Sequence, residues 1–154
     1  MAILNEQLKE QLKQRFSERL RDPVQLTLYT RPGSGRLILP GGLGCATCGN
    51  ARELAEDLAA AAPEQVRLEV VDVGARTELE RPVPSLTLVA ADAEPTQDGG
   101  RLGWQGLPAG YEFATVVDAI ERVSRGEHGL AEATLAALSE LTDPVDVMVF
   151  ATPT

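Results

Sequence analysis

A chain of 154 residues, 44% hydrophobic and 24% charged, is long enough to bury one core and needs no disulfide staples to do so. Its formal net charge is −9 and its 14 Lys and Arg are scattered, so no basic stripe offers itself to a phosphate backbone; nucleic acid is excluded, and a basic or apolar protein partner fits better. No apolar run spans a bilayer, and the amino terminus, MAILNEQLKEQLKQRF, is charged and helix-patterned rather than signal-like, so no membrane association is expected and the cytoplasm is the expected location.

Leu4, Leu8, Leu12, Phe16 and Leu20 recur four apart with Glu6, Lys9, Glu10 and Lys13 off the stripe, predicting an amphipathic helix that stops at Asp22-Pro23. Val24 to Tyr29 reads as a strand. RPGSGRLILPGGLG, residues 31 to 44, holds five glycines and two prolines around Leu37-Ile38-Leu39 and reads as a long loop or small inserted hairpin. It lacks the Lys-Ser/Thr of a phosphate-binding loop and the third glycine of a dinucleotide fingerprint, so no bound cofactor is expected there.

From Cys45 the residues become helix formers, ending at Ala62-Pro63, and Val66 to Val73 is a strand. Strand, helix, strand implies a parallel pair with a crossover. Ser85 to Ala90 is the next strand, and Arg101 to Gln105 returns antiparallel to it after Asp98-Gly99-Gly100. Tyr111 to Ser124 is a helix with Phe113, Val116, Val117, Ile120 and Val123 on one face, and Leu130 to Leu141 is a further helix. Trp104, Tyr111 and Phe113 are read as core rather than as an exposed docking rim. His128, between Glu127 and Gly129, is read as a solvated turn residue.

A partial repeat joins the two ends. DPVQLTLYTRP (22 to 32) and DPVDVMVFATP (143 to 153) share Asp, Pro, Val and the last Pro, and exchange Leu for Val twice and Tyr for Phe. Each follows a helix, so Val145 to Phe150 is expected to be the first strand of a second unit whose remainder lies outside this chain.

The only cysteines, Cys45 and Cys48, stand three apart as Cys-Ala-Thr-Cys. If this stretch forms the first turn of a helix, Cys45 faces the unpaired N–H groups and the positive end of the dipole, which favour thiolate, and Cys48 lies within reach of the same sulfur. Two other readings stay open on these residues: two small packed side chains, or half of a zinc site. A closed zinc site needs four ligands, and two cysteines with His128, about eighty residues on, would require two chains. Pro84, immediately before a strand, tolerates its missing N–H there and is open to a cis bond; alone it is an ordinary strand-start proline.

The pieces Cys45-Ala-Thr-Cys48 after a strand, Val83-Pro84-Ser85 before the next, and Gly106-Leu-Pro-Ala-Gly-Tyr-Glu-Phe113 resemble the thioredoxin/glutaredoxin superfamily. More narrowly the chain resembles the amino-terminal unit of the two-unit, glutaredoxin-like protein disulfide oxidoreductases, and the amino-terminal domain of the alkyl hydroperoxide reductase flavoprotein. The resemblance implies an α/β, thioredoxin-like fold: a central mixed sheet of about four strands flanked by helices, with an extra N-terminal helix and a C-terminal helix plus strand. It divides the chain into a domain over 1–142 and a junction strand over 143–154. It implies thiol–disulfide exchange with Cys45 as nucleophile, Cys48 as resolving thiol and Pro84 as cis proline, with Val83, Ala46 and Thr47 against the substrate and no cofactor. Its implied partners are a disulfide-containing protein, a thiol or thioredoxin reductase-like electron donor and a peroxiredoxin.

Three departures from the family pattern stand out. The segment between Thr30 and Cys45 is long enough to cap or displace the cysteine, that between Val73 and Pro82 is too short for the usual second helix, and Ala-Thr replaces Pro-Tyr between the cysteines. The competing class is a non-catalytic docking module. In the family the junction strand serves a second unit; here it is expected to be disordered, added to a sheet edge, or swapped with a neighbouring copy.

Overall fold

The structure, a computed structural model, describes residues 3–31, 45–73, 81–93, 102–143 and 145–150. The expected insertion over 31–44, the short stretch 74–80 and the Asp98-Gly99-Gly100 turn lie outside these residues, apart from Arg31.

Helix α1 (Glu6–Arg19) starts where Asn5, in extended conformation, accepts a 2.8 Å hydrogen bond from the Leu8 N–H. It leads into β1 (Val24–Thr30), α2 (Cys48–Ala61) and β2 (Val66–Asp72). Strand β3 (Ser85–Ala90) and β4 (Leu102–Gln105) follow, then α3 (Tyr111–Arg125) and α4 (Glu132–Ser139). The sheet order is β2-β1-β3-β4, with β1 parallel to β2 and antiparallel to β3, and β3 antiparallel to β4. The sequence placed these elements to within two residues at most ends.

Alternation along the strands divides the sheet into two faces. Leu26 and Leu28 of β1 stand level with Leu88 and Leu86 of β3, and these four and Val24 are buried. Helices α1, α2 and α3 add Leu12, Phe16, Leu54, Leu58, Val116 and Ile120 to this single cluster. Tyr29, Val71 and Val73 form a smaller cluster against Val83.

Polar contacts tie α1 and the β1 approach to α3. The Glu121 carboxylate is fully buried and is held by the Arg15 Nε and, at 3.3 Å, by the Arg19 guanidinium. Its carboxylate, accepting from Arg15, is also what raises the Arg15 pKa above its ordinary value. Buried Ser124 accepts from the Arg21 N–H at 2.8 Å and donates to the Asp22 carbonyl at 2.7 Å. Gly126 ends α3 in the left-handed conformation that glycine adopts without a Cβ penalty.

Three expectations are corrected. Leu8, on the first turn of α1, is exposed, whereas Leu4, ahead of the helix, and Leu12 and Phe16 further along it are buried. Tyr111 is 82% exposed: it opens α3, where side chains tilt back beyond the helix start. Val145 to Phe150 forms no strand; among the described residues it has no ladder partner, and its side chains are exposed. Phe113 and Trp104 do pack partly against the core, and His128 lies in an exposed turn, its Nδ1 accepting from the Leu130 N–H at 3.1 Å.

Candidate redox site

The residues singled out from the sequence meet at one end of the sheet. Strand β1 runs toward Thr30 and β3 starts at Ser85, and the antiparallel register sets Tyr29 opposite Ser85. Crossover helix α2 joins the parallel strands β1 and β2, so its amino end lies at that same end. Topology rather than sequence proximity thus sets Cys45 and Cys48 at the same end of the sheet as the segment Val83-Pro84-Ser85.

Cys45 and Cys48 are joined in a disulfide, with their Cα atoms 5.4 Å apart. Cys48 is 1% exposed, whereas Cys45 is partly open to solvent. The helix begins at Cys48, so the expectation that Cys45 lies on its first turn is corrected: Ala46 and Thr47 form a turn, and Thr47 is the cap. Its carbonyl accepts the first helical bond from the Ala51 N–H at 2.9 Å. The Thr47 hydroxyl makes no capping bond, and the first turn contains no acidic residue. The positive end of α2 is therefore left for whatever group stands before it.

Ala46 and Thr47 are exposed, as is Gly49, where an added Cβ would meet nothing within 4 Å. The Val83–Pro84 peptide bond is cis and Pro84 is buried. The Pro84 carbonyl accepts from the Gly106 N–H at 2.8 Å, which ties the start of β3 to the end of β4.

Sequence reasoning missed three neighbours. The Arg81 guanidinium lies 4.4 Å from the Tyr29 ring centroid, a cation–π contact at the same end of the sheet. The Ser85 hydroxyl is buried with no hydrogen-bond partner among the described residues. The only available signals were an aromatic residue at the end of β1 and polar residues flanking the Pro-Val-Pro segment; neither is specific. Among the described residues no group of three or more His, Cys, Asp or Glu is placed to hold a metal ion, and no helix is long and apolar enough to cross a membrane.

No family model and no curated protein matches this chain. Solved structures do. A protein disulfide oxidoreductase from Aeropyrum pernix matches with a TM-score of 0.70 and 24% identity, covering 89% of this chain and 55% of that one. The alkylhydroperoxide reductase AhpF of Enterococcus faecalis matches with a TM-score of 0.63 and 19% identity, over 90% of this chain and 61% of that one. The NTD_N/C domain of the same reductase gives 0.58 and 19%, over 84% and 57%. This chain therefore spans a little over half the length of the solved chains it resembles. Four mixed strands in the order β2-β1-β3-β4, with α1, α2 and α3 packed against them, give the chain a thioredoxin-like α/β fold.

Proposed function

We propose that the domain over residues 1–142 is a thiol–disulfide oxidoreductase acting on protein or small disulfides. The observation that carries this reading is the Cys45–Cys48 disulfide at the mouth of α2, buried on the Cys48 side and open on the Cys45 side. Cys45 is the sulfur that an incoming disulfide meets first. The uncompensated helix end favours its thiolate over its thiol. That thiolate attacks one sulfur of the substrate, forming a mixed disulfide and releasing the other substrate sulfur as a thiolate. Cys48, deprotonated in its turn, attacks the Cys45 sulfur, re-forming the internal disulfide and releasing the second substrate thiolate. Two electrons have then passed to the substrate, and an external dithiol or a thioredoxin reductase-like donor resets the pair.

The remaining residues bind and orient. An extended substrate segment pairs with the Val83 backbone ahead of cis Pro84, with Ala46 and Thr47 on its other flank. A disulfide-bearing protein is the substrate class, a peroxiredoxin is one candidate, and the thiol-maintaining cytoplasm is the setting in which such a pair cycles.

Trapping tests this reading. Cys48→Ser, incubated with an oxidised protein substrate, is expected to accumulate a mixed disulfide through Cys45 that dithiothreitol releases, while Cys45→Ser accumulates none. Equal trapping by both variants, or by neither, would overturn the assignment of roles.

A further inference from the structure

The sheet has a second face that disulfide exchange does not use. Side chains alternate along β3: Leu86 and Leu88 join the cluster under the helices, so Ser85 and Thr87 stand on the other face. Both are at most 4% exposed. Thr87 lies opposite Thr27 on β1 and Gly103 on β4, and Ser85 lies opposite Tyr29 and Gln105. Burying hydroxyls is tolerable where they find partners. The Ser85 hydroxyl finds none among the described residues, and native proteins rarely keep such a group without a use for it.

A gap of about 130 Å³ lies beside it, with Arg81, Ser85, Thr87, Gly103 and Gln105 in its lining. Gly103 keeps this gap open: a Cβ added there would sit 3.8 Å from Thr87 Cγ2 and 3.6 Å from the Leu86 carbonyl oxygen, in ordinary contact. One water needs about 15 Å³ and sites that enclose a whole small ligand begin at about 300 Å³, so this notch takes a single functional group.

The lining selects that group. The Arg81 guanidinium lies 4.4 Å from the ring centroid of Tyr29, the residue directly opposite Ser85, so its charge is fixed next to the buried hydroxyl. Ser85, Thr87 and Gln105 all carry groups able to donate hydrogen bonds. No Asp or Glu is in the lining, and Glu69, on the same face, stands two strands away on β2. One cation with neutral donors and no acid suits an anion, and a planar carboxylate matches the guanidinium in shape. We propose that this notch binds a carboxylate, held by the Arg81 charge and by the Ser85 hydroxyl, which gains there the acceptor it lacks. The notch is on the sheet face away from α2, so it is separate from the approach to Cys45 and independent of the exchange reaction.

The test is an amide-shift titration of the 154-residue chain, with its disulfide intact, using sodium acetate against sodium chloride at equal ionic strength. Acetate is expected to move the Ser85, Gly103 and Gln105 amides saturably, and chloride is not. Ser85→Ala is expected to weaken acetate about tenfold or more, the effect of losing one hydrogen bond to a charged group. Because it removes an unpartnered hydroxyl, it is expected to leave the urea unfolding midpoint unchanged or raised, which a hydroxyl serving only the fold would not do. Arg81→Gln is expected to abolish the shifts, Gly103→Ala to abolish them by filling the notch, and Arg52→Gln, an exposed cation on α2, to leave them intact. A short capped peptide carrying Glu, compared with its Gln counterpart, separates the two sources of a carboxylate: tighter binding than acetate assigns the site to a protein side chain, and weaker binding to a free small acid, both supporting the site. Shifts no larger with acetate than with chloride overturn the proposal and leave Ser85 facing only water. So do saturable shifts that survive both Ser85→Ala and Arg81→Gln.

Discussion

One string occurs twice in this chain with opposite fates. In DPVQLTLY the alternating residues Val24, Leu26 and Leu28 are at most 1% exposed; in DPVDVMVF their counterparts Val145, Val147 and Val149 are 64, 82 and 87% exposed. Local preference for a strand is the same or stronger in the second, which is richer in β-branched residues. The difference lies in the surroundings. The first string has β2 on one side, β3 on the other and three helices over one face; the second pairs with no strand among the described residues and has none of its large apolar side chains buried. A strand is a property of its neighbours as much as of its residues.

The preceding helices differ in the same way. Helix α1 is pinned to α3 by Arg15 and Arg19 on the buried Glu121, whereas α4 has no basic residue. Arg15→Ala with Arg19→Ala leaves a buried carboxylate without a cation and is expected to cost the largest amount, about 3 kcal/mol or more, read by urea unfolding. A loss below about 1 kcal/mol would mean that charge pairing does not separate the two helices. Paired substitutions in the strings come next: Leu26→Ala is expected to cost about 3 kcal/mol, and Val147→Ala no more than about 0.5 kcal/mol in dilute solution. Equal costs would end the contrast.

Both halves of this contrast bear on what the sequence disclosed. Periodicity found α1, β1, α2, β2, β3 and α3 because each has a buried face, and the register then set Pro84 at the same end of the sheet as the cysteines. Burial in 130–150 was not legible, since hydrophobic spacing reports what a segment is able to bury and not what is there to bury it. The helix start was misplaced by three residues because Cys45-Ala-Thr-Cys48 has no strong cap signal before Thr47. Arg81 over Tyr29 was invisible, being a contact between residues 52 apart with no pattern to announce it.

Smaller effects refine the boundary of the packed body. Ser124→Ala removes a donor and an acceptor that join α3 to the chain entering β1, and is expected to cost about 1–2 kcal/mol by the same unfolding measurement. The smallest effect concerns Asp118, whose pKa is held below its ordinary value chiefly by the hydrogen bond from Arg122. Its folded-state value lies below the unfolded one, so its contribution is present above the ordinary carboxylate range and is lost as pH falls through the depressed value. Asp118→Asn is expected to lower stability slightly at neutral pH and not at all in strong acid, because the pair is half exposed.

The account rests on Cys45 and Cys48 as an exchanging pair, and reduction of insulin by dithiothreitol tests it most directly. The wild type is expected to accelerate precipitation of the insulin B chain well above the uncatalysed rate, with Cys45→Ser at the uncatalysed rate and Cys48→Ser close to it. A wild type no faster than Cys45→Ser would contradict the claim and leave the domain as a docking module.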